Sequence, residues 1–499
     1  SVNFLSSGKE WYGEEFSNAP GHTPNRSFDI PVTGLINGST LSVQLNTVAR
    51  SVGVPSRFDI QLNGQPAGQL PVNGVSGGTY DLFAQQGSIT VNGIAGSGNP
   101  NLTINYIPGS FNAQGWLNWF ELFGRRALNM SGADQLLFRD WSSVGNAGGQ
   151  FIVAGATANT QVWDVTDPLN PVQVSGAFAN NEYRFIADVS RLREYIAFNN
   201  SGYLIPAAAG KVAVQDLHNS IPADLLIITT DVLKAQAERL ANFHRQRDGL
   251  RVWVVTTAQI FHEFASGIPD PTALRNWVKM YYDRYHTVPA DKPRYLLLFG
   301  DASFDYRDRL KNNTNQVPAY ENNFSADPLS TYASDDFFGF LDDQEDINSG
   351  LIVNDLDIGI GRVPAGDEQA AKNFVDKVLK YYSAAAMGPW RNNITFVADD
   401  EDQNLHLQDA ELISAGAAAT DPVLNQEKIY LDAYQQESGS GGSRYPKVNQ
   451  AISNGILTGT LIWNFNGHGG ANRLAEETVL DQESVSSWKN SGRLPLFIT

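Results

Sequence analysis

Leu461-Ile462-Trp463-Asn464-Phe465-Asn466-Gly467-His468-Gly469-Gly470 is an apolar run that stops at Asn-Gly-His-Gly. The run predicts a buried strand, and the glycines predict a sharp turn after it. A buried parallel strand holds whatever follows its C-terminal end rigidly, and ligands of open α/β sheets gather at that edge. His468 therefore stands where a general base is useful, and its glycine neighbours let a substrate approach the backbone. A histidine in an ordinary strand-to-loop turn fits the same spacing. A second strand is predicted at Leu494-Pro495-Leu496-Phe497-Ile498-Thr499, and the sequence reads as cut at that point.

Working outward, strands and helices alternate from about Lys211. Leu225–Thr230, Val252–Val255, Tyr295–Phe299, Leu356–Arg362, Asn393–Ala398 and Lys428–Leu431 are short apolar runs that predict strands. Helices are predicted from Asp231, as cap, to about Asp248, from Pro271 to about Tyr285, from Glu368 to about Ala386, from near Asn404, and from Tyr445 to Ser453, closed by Gly455. Such alternation predicts a mainly parallel sheet with helices on both faces. The strand ending at Ala398 runs into Asp399-Asp400-Glu401-Asp402. These acids have three competing roles: capping the next helix, binding a metal, or orienting a catalytic histidine. The Gly/Ser stretch Ser438–Ser443 predicts a flexible loop, and without a Walker lysine it predicts no phosphate site.

Between Ser303 and about Asn354 the alternation gives way to a long polar and aromatic insertion. It carries Asp342, Asp343, Glu345 and Asp346, a candidate site for a structural calcium ion, since calcium takes clustered carboxylate oxygens. The spacing is not that of an EF-hand, and a solvated acidic loop is the alternative.

Residues 1–208 read differently. Leu41–Leu45, Phe58–Leu62, Ser88–Val91 and Leu102–Tyr106 alternate apolar and polar positions, and Asn63-Gly64 marks a hairpin. This predicts an all-β, sandwich-like region of one or two subdomains, followed by an α/β domain over 209–499. The aromatic stretch Gly115–Leu122 is either a core strand or, through Trp116 and Trp119, a ligand platform. Asp164 and Asp167 are read as Asx-turn residues, with cation binding the alternative.

Composition narrows the function. The 499 residues carry a formal net charge of −18, which argues against a nucleic-acid partner. No apolar run approaches the ~20 residues of a transmembrane helix. No leader is visible at Ser1, so a signal has been removed or the sequence starts internally. There is no cysteine, which excludes disulfides, cysteine-based zinc sites and a thiol nucleophile within these residues.

Several co-ordered motifs together resemble the gingipain-type cysteine peptidases, and within them the type IX secretion member. They are Trp163-Asp164-Val165-Thr166-Asp167-Pro168, Gly300-Asp301-Ala302-Ser303-Phe304-Asp305-Tyr306, Ala333-Ser334-Asp335-Asp336-Phe337-Phe338-Gly339, Ile360-Gly361-Arg362-Val363-Pro364, Asn466-Gly467-His468-Gly469-Gly470 and Leu494-Pro495-Leu496-Phe497. The resemblance implies a caspase-like (gingipain-like) α/β fold. It implies that His468 is the catalytic histidine, that Asp399 assists it, and that the Gly469 N–H helps form the oxyanion hole. It makes Asp301, Asp335, Asp336 and His406 the substrate-binding candidates; His406 stands near where gingipains place an acid for a basic substrate side chain. The family's nucleophilic cysteine falls just past Thr499, so the chain is expected to be the N-terminal portion of a longer protein.

The same resemblance implies an exported protein on the cell surface, associated with the outer membrane of a Gram-negative bacterium. Its implied task is to remove C-terminal sorting signals from cargo proteins and to pass them to water or to a lipopolysaccharide amine. Implied partners are an outer-membrane β-barrel shuttle protein and other secretion components, and no cofactor is required. A catalytically inactive scaffold of a secretion complex and a carbohydrate-binding, adhesin-like module are the alternatives.

Overall fold

The alternation along Thr40–Arg50 and Ser56–Leu62 becomes two facing sheets. A computed structural model describes residues 1–199, 202–208, 210–311, 313–348, 354–440 and 442–499. Strands Glu15–Phe16, Gln114–Gly124, Thr40–Arg50 and Gln85–Ile94 form one sheet in that order. Asn25–Asp29, Asn101–Ile107, Ser56–Leu62 and Gln65–Val72 form the other. Phe16, Leu41, Val43 and Leu45 from the first meet Phe58, Ile60, Leu102 and Ile104 from the second. Every second residue points inward because side chains alternate across a strand, and each such fully buried side chain contributes about 1.5–3 kcal/mol. A second pair of sheets, built from strands between Gln135 and Phe198, closes over Phe138, Phe151, Phe185 and Tyr195.

Residues 1–215 and 320–334 make one compact unit, and 216–319 with 335–499 make another. The predicted boundary at 208/209 touches residue 209, which lies outside the described residues. The stretch 320–334, predicted as part of the insertion, pairs Tyr320–Glu321 with Ala333–Ser334 and accepts the Gly8 N–H on Glu321 at 2.7 Å. Residues 312 and 349–353 of that insertion lie outside the described residues. Trp116 packs in the core with Tyr12 and Val48, whereas Trp119 is exposed. Asp164 accepts the Thr166 N–H and Asp167 the Leu169 N–H, both at 3.0 Å, which are Asx turns.

The second unit holds two four-stranded parallel sheets rather than one. The first runs Val252–Thr256, Leu225–Thr229, Tyr295–Phe299, Gly359–Val363. Leu226, Ile228, Leu296 and Leu298 face Trp277, Val278 and Tyr281 of the Pro271–Tyr285 helix. Leu225 and Ile227 face the opposite side, toward Leu240 and Val375 of the Lys234–Arg247 and Glu368–Tyr381 helices. Both faces are covered, which is why these strands read as continuous apolar runs. The second sheet runs Asn425–Tyr430, Asn393–Ala398, Ile462–Asn466, Leu496–Ile498. Val397, Ile429, Trp463 and Phe465 pack on Val448, Ile452 and Ile456 of the Pro446–Thr458 helix.

Local details depart from the sequence reading. The Lys234–Arg247 helix starts after Leu233 and takes no side-chain cap, so Asp231 lies outside it. The Glu368 helix stops at Tyr381, and the helix that starts at Pro446 runs to Thr458, where Gly459 (φ 102°) closes it in place of Gly455. The Gly/Ser stretch forms an antiparallel hairpin, Glu437–Gly439 with Gly442–Arg444; Gly441 lies outside the described residues. Among the described residues no helix is long and apolar enough to cross a membrane.

Candidate active site

The register that pairs Ala398 with Asn466 sets the ends of two neighbouring strands side by side. Asp399 and Gly467 follow immediately. The Asp399 N–H donates to the Asn466 carbonyl at 3.0 Å, and the Asp399 carboxylate accepts the main-chain N–H of His468 at 3.1 Å. The buried Asp399 also accepts the Asp400 N–H at 3.1 Å. Asp399 thus grips the turn that carries His468, and it contacts the backbone of that residue rather than its ring. Gly467 makes the grip feasible: a Cβ there would lie 2.5 Å from Asp399 Cβ and 2.6 Å from the Phe465 ring.

The imidazole is held by a different acid. His468 Nε2 donates to Asp402 Oδ2 at 2.6 Å, and Glu401 Oε2 lies 3.8 Å from the same nitrogen. Asp402, Gln403 and Asn404 are three successive non-glycine residues in the left-handed region, with φ of 55°, 57° and 69°. Each such residue is disfavoured, and runs of them persist only where the surroundings impose them. This strained turn swings the Asp402 carboxylate back over the histidine. None of the four acids caps the Leu405–Thr420 helix, whose first-turn neighbour Asn404 makes no side-chain cap.

His406 sits in the first turn of that helix. Its ring meets the His468 ring edge to face, with centroids 5.1 Å apart, and its Nε2 lies 3.2 Å from Asp402 Oδ2. The hydrogen bond to Asp402 raises the His468 pKa above 6.5, opposed by modest burial and reinforced by the charges of Asp402, Glu401 and Asp399. The same bond holds the Asp402 carboxyl below the usual carboxylate range. Burial pushes the Asp399 carboxyl up.

Beyond His468 the chain turns back. Gly469–Gly470 pairs with Arg473–Leu474, and the His468 carbonyl accepts the Ala475 N–H at 2.8 Å. That bond makes Gly469 and Leu474 a non-hydrogen-bonded pair, which leaves the Gly469 N–H outside the ladder. A cavity of about 390 Å³ opens against this hairpin, lined by Gly470, Arg473, Leu480 and Val485.

The other sequence candidates stand apart from this cluster. Asp335 takes Arg362 Nε and Nη2 in a two-pronged pair, both at 2.7 Å, and Arg362 also donates to the Gly300 and Val317 carbonyls. Asp301 accepts the Thr314 hydroxyl and sits at the end of the first parallel sheet. Asp336 opens a short 3-10 turn, Asp336–Phe338. In the acidic loop, Asp343 pairs with Lys279 at 2.9 Å, Glu345 accepts the Asp342 N–H at 3.0 Å, and Asp346 accepts the Asn348 N–H at 2.9 Å. Among the described residues, the groups whose ligand atoms converge are Asp402/His406/His468, Asp216/His218/Glu263 and Asp399/Asp400/Glu477. Asp342, Asp343, Glu345 and Asp346 are not in them. In the sequence Asp402 stands among the four acids that could orient a histidine, and its four-residue spacing to His406 is the one feature that sets it apart; nothing in the sequence ties Glu477 to Asp399.

Among curated proteins no match is found. The crystal structure of dimeric latent PorU from Porphyromonas gingivalis is similar, with a TM-score of 0.68, 25% identity, and coverage of 78% of this chain and 38% of that one. The chain thus spans well under half the length of that relative. The Arg-specific cysteine proteinase gingipain R (RGPB) aligns with a TM-score of 0.41 and 17% identity, covering 57% of this chain and 55% of that one. The family model described as peptidase family C25 matches residues 218–499, more than half of the sequence, and the chain belongs to that family.

Proposed function

We propose that this chain carries the histidine half of a cysteine endopeptidase and transpeptidase site, in a surface protein of a type IX secretion system that removes C-terminal sorting signals. The observation that carries the reading is the His468 imidazole, fixed through Nε2 by Asp402 on a turn fixed through its main chain by Asp399. With Nε2 donating, Nδ1 is the nitrogen free to take a proton. A base whose other nitrogen is bonded to a carboxylate has a defined tautomer and a stabilised cation. Likeness to PorU supports the secretion setting.

The nucleophile is not among these 499 residues, which contain no cysteine. The sheet register supports a position for one. Leu496 pairs with Ile462 and Ile498 with Asn464. Were a longer chain to continue at the same offset, the third position after Thr499 would lie beside His468. A thiol there would give its proton to His468 Nδ1 and attack the scissile carbonyl. His468 would then return the proton to the leaving amine. The Gly469 N–H, with the N–H of the nucleophile, would hold the oxyanion; one such donor typically contributes about 10²–10³ in rate. The acyl-enzyme would pass to water or to a lipopolysaccharide amine, on cargo delivered by a β-barrel shuttle at the outer membrane. Asp301, Asp335, Asp336 and His406 remain substrate-binding candidates, of which His406 is the one next to His468.

The test uses the full-length protein and a cargo bearing its C-terminal sorting domain, followed by intact mass. The reading expects cleavage that stops on thiol alkylation and on His468→Ala. Cleavage that persists in His468→Ala, or a full-length sequence with no thiol following the Leu496–Ile498 strand, overturns it and favours the scaffold.

A further inference from the structure

Within residues 1–215 two strands end their sheets and share one opening. Gln135–Arg139 pairs only with Glu194–Phe198, and Gly149–Ala154 pairs only with Glu182–Ala187. Phe138 and Phe151 pack between the two sheets with ring centroids 5.9 Å apart. Both edge strands line a cleft of about 680 Å³, which Phe123, Arg125 and Arg126 also line, at and after the end of the Gln114–Gly124 strand.

The two edges differ. The Arg126 guanidinium caps the first by donating to the Leu137 carbonyl. The second is engaged only at its far end: the Ala154 N–H donates to the Leu128 carbonyl, and the Ala154 carbonyl accepts the Met130 N–H, both at 2.8 Å. These bonds set the phase of the ladder. Ala154 turns its main-chain groups away from the Glu182–Ala187 strand, and by alternation so do Ile152 and Gln150. No strand pairs with them on that side. Edge strands are ordinarily blunted by charge, proline or a bulge. Gly149-Gln150-Phe151-Ile152 has neither charge nor proline, and its register is unbroken.

The charge beside this edge is mostly positive. Arg125, Arg126 and Arg139 line the cleft against one acid, Asp140, in a chain of net charge −18. Arg126 bonds a carbonyl rather than a carboxylate, and Arg125 reaches Asp140 only at 3.6 Å. Phe123, Leu137 and Ile152 add exposed apolar surface.

We infer that this cleft binds an acidic peptide segment of a partner protein, held in extended conformation as an added strand along Gly149–Ile152. Main-chain hydrogen bonds to Gln150 and Ile152 supply affinity that is indifferent to sequence. Guanidinium–carboxylate pairs select the acidic sequence, because charge-assisted bonds are about twice as strong as neutral ones. Side chains alternate along a strand, so alternating acidic and apolar positions match the arginines and the apolar surface. A saccharide would meet the arginines but leave the strand edge unpaired. The inference does not rest on the peptidase reading.

The experiment titrates the purified protein into a fluorescent peptide of alternating glutamate and valine, about six residues long, and reads anisotropy. The expected result is saturable binding that weakens with salt and is absent for the lysine–valine counterpart. Arg125→Gln with Arg126→Gln should weaken it at least about tenfold. Ile152→Pro should abolish it without breaking the ladder to Glu182–Ala187, since the lost N–H points outward. Melting temperatures check that the variants fold. A peptide N-methylated at every residue keeps its charge and side chains but cannot enter a sheet, so it should not bind, and this arm needs no variant. Equal binding of the N-methylated peptide, no saturable binding at millimolar peptide, or binding of an oligogalacturonate in place of the peptide would each overturn the inference. None of these readouts needs a nucleophile or His468, so failure here leaves the peptidase reading standing, and the reverse.

Discussion

Asp402 Oδ2 accepts the His468 Nε2–H at 2.6 Å from a residue whose own backbone sits in the left-handed region at φ 55°. Strain in a loop and a hydrogen bond to the histidine ring therefore meet in one residue, and removing the carboxylate tests both.

Asp402→Asn should lower the His468 titration midpoint toward 6.5, because the hydrogen bond and the charge of Asp402 are what raise it. The sign for stability follows. A histidine with a raised folded-state pKa contributes stability that is fully present below its unfolded value and is lost as pH rises through the folded value. The Asp402 carboxyl is depressed, so its share is lost again as pH falls through its folded value. The parent should exceed Asp402→Asn in stability only between these limits. Ring-resonance titration by NMR measures the midpoint, and an unmoved value would show that Asp402 does not control the ring.

Gly467→Ala should destabilise the chain by about 1–3 kcal/mol, the usual range for overpacking, since the added methyl meets Asp399 Cβ at 2.5 Å and the Phe465 ring at 2.6 Å. Gly470→Ala, where a Cβ meets nothing within 4 Å, should be close to neutral. Denaturant midpoints of the two variants make the comparison; equal midpoints would mean that the turn relaxes freely.

Asp335→Ala should cost about 1.5–3 kcal/mol, because it leaves Arg362 without its two charged hydrogen bonds. The His468 midpoint should not move, since Asp335 pairs with Arg362 on the edge strand of the other parallel sheet. A change in that midpoint would tie Asp335 to the catalytic cluster after all.

Trp116→Ala should cost about 3–5 kcal/mol, as for other buried large-to-small changes, and Trp119→Ala should cost little. If Trp119→Ala removed carbohydrate binding from an otherwise stable chain, the adhesin-like reading would gain ground over the peptidase.

The parallel strands, the β character of the first region and the His468 turn were legible in the sequence, because each rests on local physics. Two buried faces produce continuous apolar runs such as Tyr295–Phe299, one buried face produces the alternation of Phe58–Leu62, and a sharp turn after a strand takes glycine. Asp399 was legible as one of four acids closing a strand, and its link to the histidine came only from the family resemblance. Its contact was not legible. Whether a carboxylate meets a ring or a main-chain N–H depends on the Ala398–Asn466 register, and register is a property of two segments far apart in the chain. Asp402 reaches the imidazole only through three left-handed residues that no propensity favours. Glu477 joins Asp399 and Asp400 only because the hairpin after Gly469 folds back. Local periodicity thus determined which elements form, whereas the long-range pairing of strands decided which acid touches the histidine and which acids are left sharing a buried space.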